Sequence, residues 1–274
     1  NRAVFDLVHA LWDQPLPVLE ALQNHGLQQL LLHTVDREIN RRPWSYLGAK
    51  GLRHSSITDL IPIWGWKDPR TTYTLPLWLQ LFPHAQVIFI YRNGVDVAQS
   101  LYHRNRKLMH SKQFSARCYE LSGAFELWEM YNQQCLIHAE ALPAQQLHII
   151  KYEELISQPE HHLETVLRFL DQQPDQELIK QLASSIVPSR AYAFTAREEL
   201  LHLYEQKRNS SLMQQFGYDE LLPVLAAPGL PRLAYKETVS VHVSPVARAA
   251  CVVSLHTLML PVQRFYTARH CIQC

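Results

Sequence analysis

At 274 residues with 47% apolar content, the chain suits one α/β domain with a tail and can fill a sizeable core. A net charge of +1 excludes bulk nucleic-acid binding, so any polyanion would have to meet a local patch. Five scattered cysteines (Cys118, Cys135, Cys251, Cys271, Cys274) exclude a disulfide framework and point to a reducing, cytoplasmic setting.

The chain opens on Asn1 rather than Met and shows no signal peptide, which suggests a trimmed product. Phe5, Val8 and Leu11 or Trp12 predict a helix over 4–12, stopped by Pro15 and Pro17. A second helix is expected over 18–24 with Gly26 as its C′ residue, then a third over 27–40 with Leu30, Leu31 and Val35 inward. Residues 43–60 read as irregular and hold Trp44, Tyr46 and His54.

Next come two strands that each end in a basic residue. Ile61, Ile63 and Trp64 lead to Lys67, and the apolar run 87–91 leads to Arg92. Such a run suits a strand buried on both faces in a parallel sheet, where ligands sit beyond the carboxyl ends. Lys67 and Arg92 would then face one crevice, and that crevice would favour an anion. Helices are expected over 71–81, from Val95 to about Lys107, and over 114–142 with Phe125, Trp128, Tyr131 and Cys135 inward. Residues 147–152 read as a third buried strand closed by Tyr152. Helices over 163–170, 175–185 and 198–216 follow, the last ending at Gly217.

AAPGLP (226–231) is linker-like, so the expected organisation is a domain over 1–225 and a C-terminal extension over 226–274. Val239, Val241 and Val243 alternate like an edge strand. The run 246–260 is interrupted by Arg248 and His256; it reads as a packed helix, too short to span a membrane. Cys271 and Cys274 lack the second ligand pair that zinc needs, and no metal is expected. The element order favours an α/β fold, a three-layer parallel sheet flanked by helices.

Arg92 and Ser100, eight residues apart, form the leading pair of candidates. A guanidinium fork can hold a phosphate bidentately, a hydroxyl two turns along the next helix can add a bond, and the helix N-terminus adds positive potential. The structural alternative pairs Arg92 with Asp96. Lys67 could neutralise a leaving-group oxygen, or simply pair with Asp68. Tyr152 could meet a base, or be a core tyrosine.

From Lys67 to Tyr218 the chain resembles the PAPS-dependent sulfotransferase family, of the bacterial type. The resemblance rests on FIYRNGVDVAQSLYHR (89–104), Trp128, HIIKYEELISQP (148–159), RFL (168–170) and FGY (216–218), in the family's order and spacing. It implies a P-loop NTPase-like fold, with Arg92 and Ser100 on the 3′-phosphate of PAPS, Tyr152 near adenine and Lys67 beside the sulfuryl group. Lys207 and Arg208 match the family's basic loop near the 3′-phosphate, and Arg190 is a further basic candidate. The implied reaction passes a sulfuryl group to a hydroxyl or amine of a small-molecule, glycan or lipid acceptor, without a metal. Trp44, Tyr46, Trp64 and Trp66 are candidates for lining the acceptor pocket.

Three departures qualify the resemblance. Asn93-Gly94 replaces Asp-Pro. Pro69 stands where cytosolic members carry a histidine base, so Asp68, His54 and His103 are the remaining candidates. The family's first strand and its G-[ST]-[ST] loop for the 5′-phosphosulfate have no match, which suggests that the chain starts just after them, with Asn1 at the head of the following helix. Two other readings remain at this stage: a non-catalytic nucleotide-binding scaffold, and an ATP-using P-loop kinase relative.

Overall fold

A computed structural model describes residues 1–41, 65–111, 113–186, 191–221 and 250–253. Helices α1 (Arg2–Leu7), α2 (Leu16–Gln23) and α3 (His25–Arg41) come first. Gly26 is not a C′ residue but lies inside α3, because the Asn24 side chain accepts from the Leu27 amide (3.1 Å) and opens the next helix at once. Leu31 and Val35 of α3 are buried as expected, whereas Leu30 faces outward.

Strand β1 (Gly65–Lys67) leads into α4 (Thr71–Leu81), and β2 (Gln86–Tyr91) into α5 (Gly94–Lys107). A short 3-10 turn, Arg117–Tyr119, precedes α6 (Leu121–Ala141), so the expected helix over 114–142 starts late. Strand β3 (Leu147–Lys151) runs directly into α7 (Tyr152–Ser157), followed by α8 (Pro159–Phe169) and α9 (Gln176–Ser184). The long helix expected over 198–216 is two helices, α10 (Glu198–Lys207) and α11 (Ser211–Gln215). Ser210 breaks the run: its hydroxyl accepts from the Met213 amide (3.4 Å) as an N-cap. Gly217 ends α11 at φ +68, a conformation that suits glycine, and the Tyr218 amide returns to the Met213 carbonyl (2.7 Å).

Strand β4 (Ala250–Val253) comes from the stretch expected to be a packed helix in the C-terminal extension. It pairs in parallel with β1 on one side and β2 on the other, giving the order β1-β4-β2-β3, all parallel. Periodicity could not distinguish a short buried strand from a buried helix there. The expected edge strand over 239–243 and the Cys271–Cys274 pair lie outside the described residues.

Side chains of β2 alternate across the sheet. Val87 and Phe89 join the main core with Val97, Leu101, Phe125 and Trp128, while Ile88 turns to the other face and packs with Ile150 and Leu170. Helices therefore cover both faces, in the α/β arrangement that the buried run implied. No helix among the described residues is long and apolar enough to cross a membrane.

The turn from β2 to α5 is packed without slack. A Cβ added at Gly94 would lie 2.7 Å from the Phe125 ring and 2.8 Å from the Trp128 ring. Both rings are fully buried, which accounts for a glycine where the family motif carries proline. Gly94→Ala should lower stability by about 1–3 kcal/mol in urea denaturation; a neutral or stabilising result would show that the rings can yield.

Candidate active site

Lys67 ends β1, and Arg92 follows β2 at the start of the loop before α5; Ile61, Ile63 and Trp64, expected to lead to Lys67, lie outside the described residues. Arg92 is almost wholly buried. Its Nη2 donates to Asp96 Oδ2 at 3.0 Å, one helical turn ahead on α5. This is the structural pairing that the spacing allowed. The guanidinium carbon lies 4.8 Å from the Tyr152 ring centre, so the structure brings these two candidates together. Burial works against the charge on Arg92, but Asp96, with Tyr152 and Glu153 behind it, outweighs burial and raises its pKa.

Asp96 also accepts from the Phe194 amide at 2.8 Å, which ties α5 to the segment before α10. The Arg92 carbonyl accepts from Trp128 Nε1 (3.0 Å), and the Asn93 amide donates to Glu153 Oε1 (3.0 Å). Asn93 caps α5 by accepting from the Val95 and Asp96 amides. Ser100 lies farther along the same helix, part-exposed. Tyr152 is the first residue of α7 rather than the last of the strand.

At the other basic strand end, burial lowers the pKa of Lys67; Asp68 opposes that and Arg104 adds to it. Asp68 is not an open carboxylate. It accepts from Arg70 Nη2 (2.7 Å), Arg70 Nε (3.0 Å) and the Arg70 amide (3.0 Å). Burial alone would raise its pKa, but the Arg70 bonds and charge hold it below the ordinary value. A carboxylate so stabilised is a poor proton acceptor. Asn1 lies beside this end: its amide donates to Thr71 Oγ1 (2.8 Å) and accepts from Thr74 Oγ1 (2.6 Å) and Trp78 Nε1 (2.7 Å). Trp66 also donates to Thr71 Oγ1, at 3.1 Å.

The remaining candidates are dispersed. Lys207 ends α10 with its ammonium 5.6 Å from the Phe125 ring centre. Arg208 pairs with Glu205 (3.5 Å) and lies over Tyr204. The exposed His103 meets Arg197 Nη1 at 3.2 Å; burial, then Arg197, Arg106 and Lys107, lower its pKa. His54, Arg190, Trp44, Tyr46 and Trp64 lie outside the described residues. Sequence reasoning gave no role to Arg70 and Glu153. The D-P-R spacing, in which an aspartate can bond the amide two residues on, could have shown Arg70. Glu153 falls in the stretch HIIKYEELISQP that carries the resemblance, but no local signal could have shown its partners, which are distant in the chain.

Two outcomes follow. Asp96→Ala strands a buried guanidinium and should cost about 3–5 kcal/mol in urea denaturation; a loss under about 1 kcal/mol would mean that the pair supports little. For Asp68 the folded pKa lies below 3.8, so its ionised form favours the fold above pH 3.8, and that contribution fades as pH falls through the lowered value. The thermal midpoint of Asp68→Asn should therefore fall less than that of the wild type as pH drops below 3.8; parallel profiles would contradict this.

The sequence-family model described as "Sulfotransferase family" matches residues 13–176, more than half of the chain. A solved structure, "Sulfotransferase Domain from the Curacin Biosynthetic Pathway", aligns at 20% identity with a TM-score of 0.37; the alignment covers 49% of this chain and 57% of that one. Comparison with curated proteins gave no match. With the Arg92 turn, the Trp128 helix and the Tyr152-Glu153 helix start lying within the matched span, the chain belongs to the sulfotransferase family.

Proposed function

We propose that this protein transfers a sulfuryl group from PAPS to a hydroxyl or amine acceptor and releases adenosine 3′,5′-bisphosphate. The observation that carries the reading is the Arg92 arm: a guanidinium paired with Asp96 and lying over the Tyr152 ring, at the carboxyl end of a parallel strand and beside the N-terminus of a long helix. That chemistry suits a phosphate next to an aromatic base. Family membership directs it to PAPS rather than to ATP.

In this reading Arg92 and Ser100 hold the 3′-phosphate and Tyr152 borders the adenine. Lys67 lies at the sulfuryl end. The bond between sulfur and the bridging phosphate oxygen breaks as the acceptor oxygen or nitrogen bonds to sulfur, and Lys67 offsets the charge gathering on the departing oxygen. The acceptor proton passes to a base. Asp68 suits that role poorly because Arg70 occupies its carboxylate, which favours His54 or His103. Lys207, Arg208 and Arg190 are proposed as outer contacts to the 3′-phosphate.

Titration calorimetry with adenosine 3′,5′-bisphosphate and sulfur-35 transfer from labelled PAPS test this together. Arg92→Ala should weaken binding of the bisphosphate by roughly tenfold or more. Lys67→Ala should abolish transfer while leaving that binding largely intact. Binding without any transfer would favour a non-catalytic scaffold, and tighter binding of ATP than of the bisphosphate would favour a kinase relative.

A further inference from the structure

The peptide between Arg92 and Asn93 is held at both ends. Its carbonyl accepts from Trp128 Nε1 at 3.0 Å, and its N–H donates to Glu153 Oε1 at 3.0 Å. A peptide is planar, so fixing its oxygen and its hydrogen leaves no rotation of the plane. That plane joins the residue bearing the guanidinium to the residue that caps α5. Its orientation therefore sets both the direction in which Arg92 leaves the strand and the direction in which the helix carrying Ser100 starts.

Trp128 is one clamp, on a long helix packed against α5. Glu153 is the other, and it is an expensive residue to bury, at 5% exposure. Its second oxygen accepts from the Tyr218 hydroxyl at 2.6 Å. Tyr218 is itself fixed: it is fully buried, and Lys151 Nζ lies 4.4 Å from its ring centre. The same ammonium donates to the Phe216 carbonyl (3.2 Å), and Phe216 stacks on Tyr91 at 4.3 Å. The ends of β2 and β3 and the turn at Gly217 thus meet at one carboxylate, next to Tyr152.

We propose that Glu153 is a positioning residue for the 3′-phosphate end of the site, acting through the Asn93 amide rather than by touching the ligand. The proposal rests on the PAPS reading above. Leucine at this position fills space but offers no acceptor. Glutamine keeps one oxygen for the Asn93 amide, and its NH2 can donate to the Tyr218 hydroxyl, so it should rescue what leucine loses.

The test compares adenosine 3′,5′-bisphosphate with adenosine 5′-monophosphate by calorimetry, because only the first carries the 3′-phosphate. Glu153→Leu should weaken the bisphosphate about tenfold or more and the monophosphate less than about twofold, with Glu153→Gln within about threefold of wild type for both. Equal weakening of the two ligands, or a leucine variant that binds the bisphosphate like wild type, overturns the proposal. If Glu153→Leu does not fold, Tyr218→Phe, which removes the brace on the carboxylate, should weaken the bisphosphate selectively; an unselective loss or none overturns it. If the wild type binds neither nucleotide, the PAPS reading fails by itself. Amide hydrogen exchange then decides the positioning claim: faster exchange from Asn93 to Val97 in Glu153→Leu or Tyr218→Phe supports it, and unchanged exchange refutes it.

Discussion

A guanidinium buried at a strand end must have a partner, and the Arg92–Asp96 ion pair is the constraint around which this end of the molecule is arranged. The partner sits one turn along the following helix, so the turn must be tight enough to bring that helix back at once. The rings packed on that turn require Gly94, whose position leaves no room for a Cβ against Phe125 and Trp128. Asp96 in turn accepts from the Phe194 amide, so the segment before α10 is fastened to the same carboxylate. One buried ion pair thereby fixes a strand, the helix that follows it and a distant segment relative to each other.

The two basic strand ends are treated differently by their surroundings. Arg92 has a buried acid in direct contact and stays charged. Lys67 is made less basic by burial, while the neighbouring Asp68 is committed to Arg70. Under the proposed function this difference has a use: a permanently charged fork suits a phosphate that only binds, whereas an ammonium suits an oxygen whose charge grows during the reaction. The strands that carry the two residues are not neighbours in the sheet. Strand β4 lies between them, so the spacing of Lys67 and Arg92 is set through a strand nearly a hundred and sixty residues beyond β2 in the chain.

Much of the fold could be read in advance. The buried run of β2, the helix over Thr71–Leu81 and the inward face of α6 follow from period and from punctuation by Pro69, Pro83 and Pro143. Caps were harder to read. Asn24 opens a helix where Gly26 promised an end, and Ser210 divides a run that hydrophobic spacing joined. In both places a side chain bonded the backbone three residues on, a local choice that apolar periodicity does not record.

The site divides along the same line. The sequence by itself determined the buried basic strand end at Arg92, the Asp96 one turn away and the ordered motifs shared with the family, because these depend on residues close in the chain and on strand and helix periods. It did not determine that Glu153 reaches the Asn93 amide and the Tyr218 hydroxyl, that Trp128 holds the Arg92 carbonyl, or that Ala250–Val253 enters the sheet between β1 and β2. Those contacts join residues from 36 to more than 160 positions apart. Only the packing of layers brings such residues within reach, and a hydrogen bond that depends on packing leaves no periodic mark in the chain.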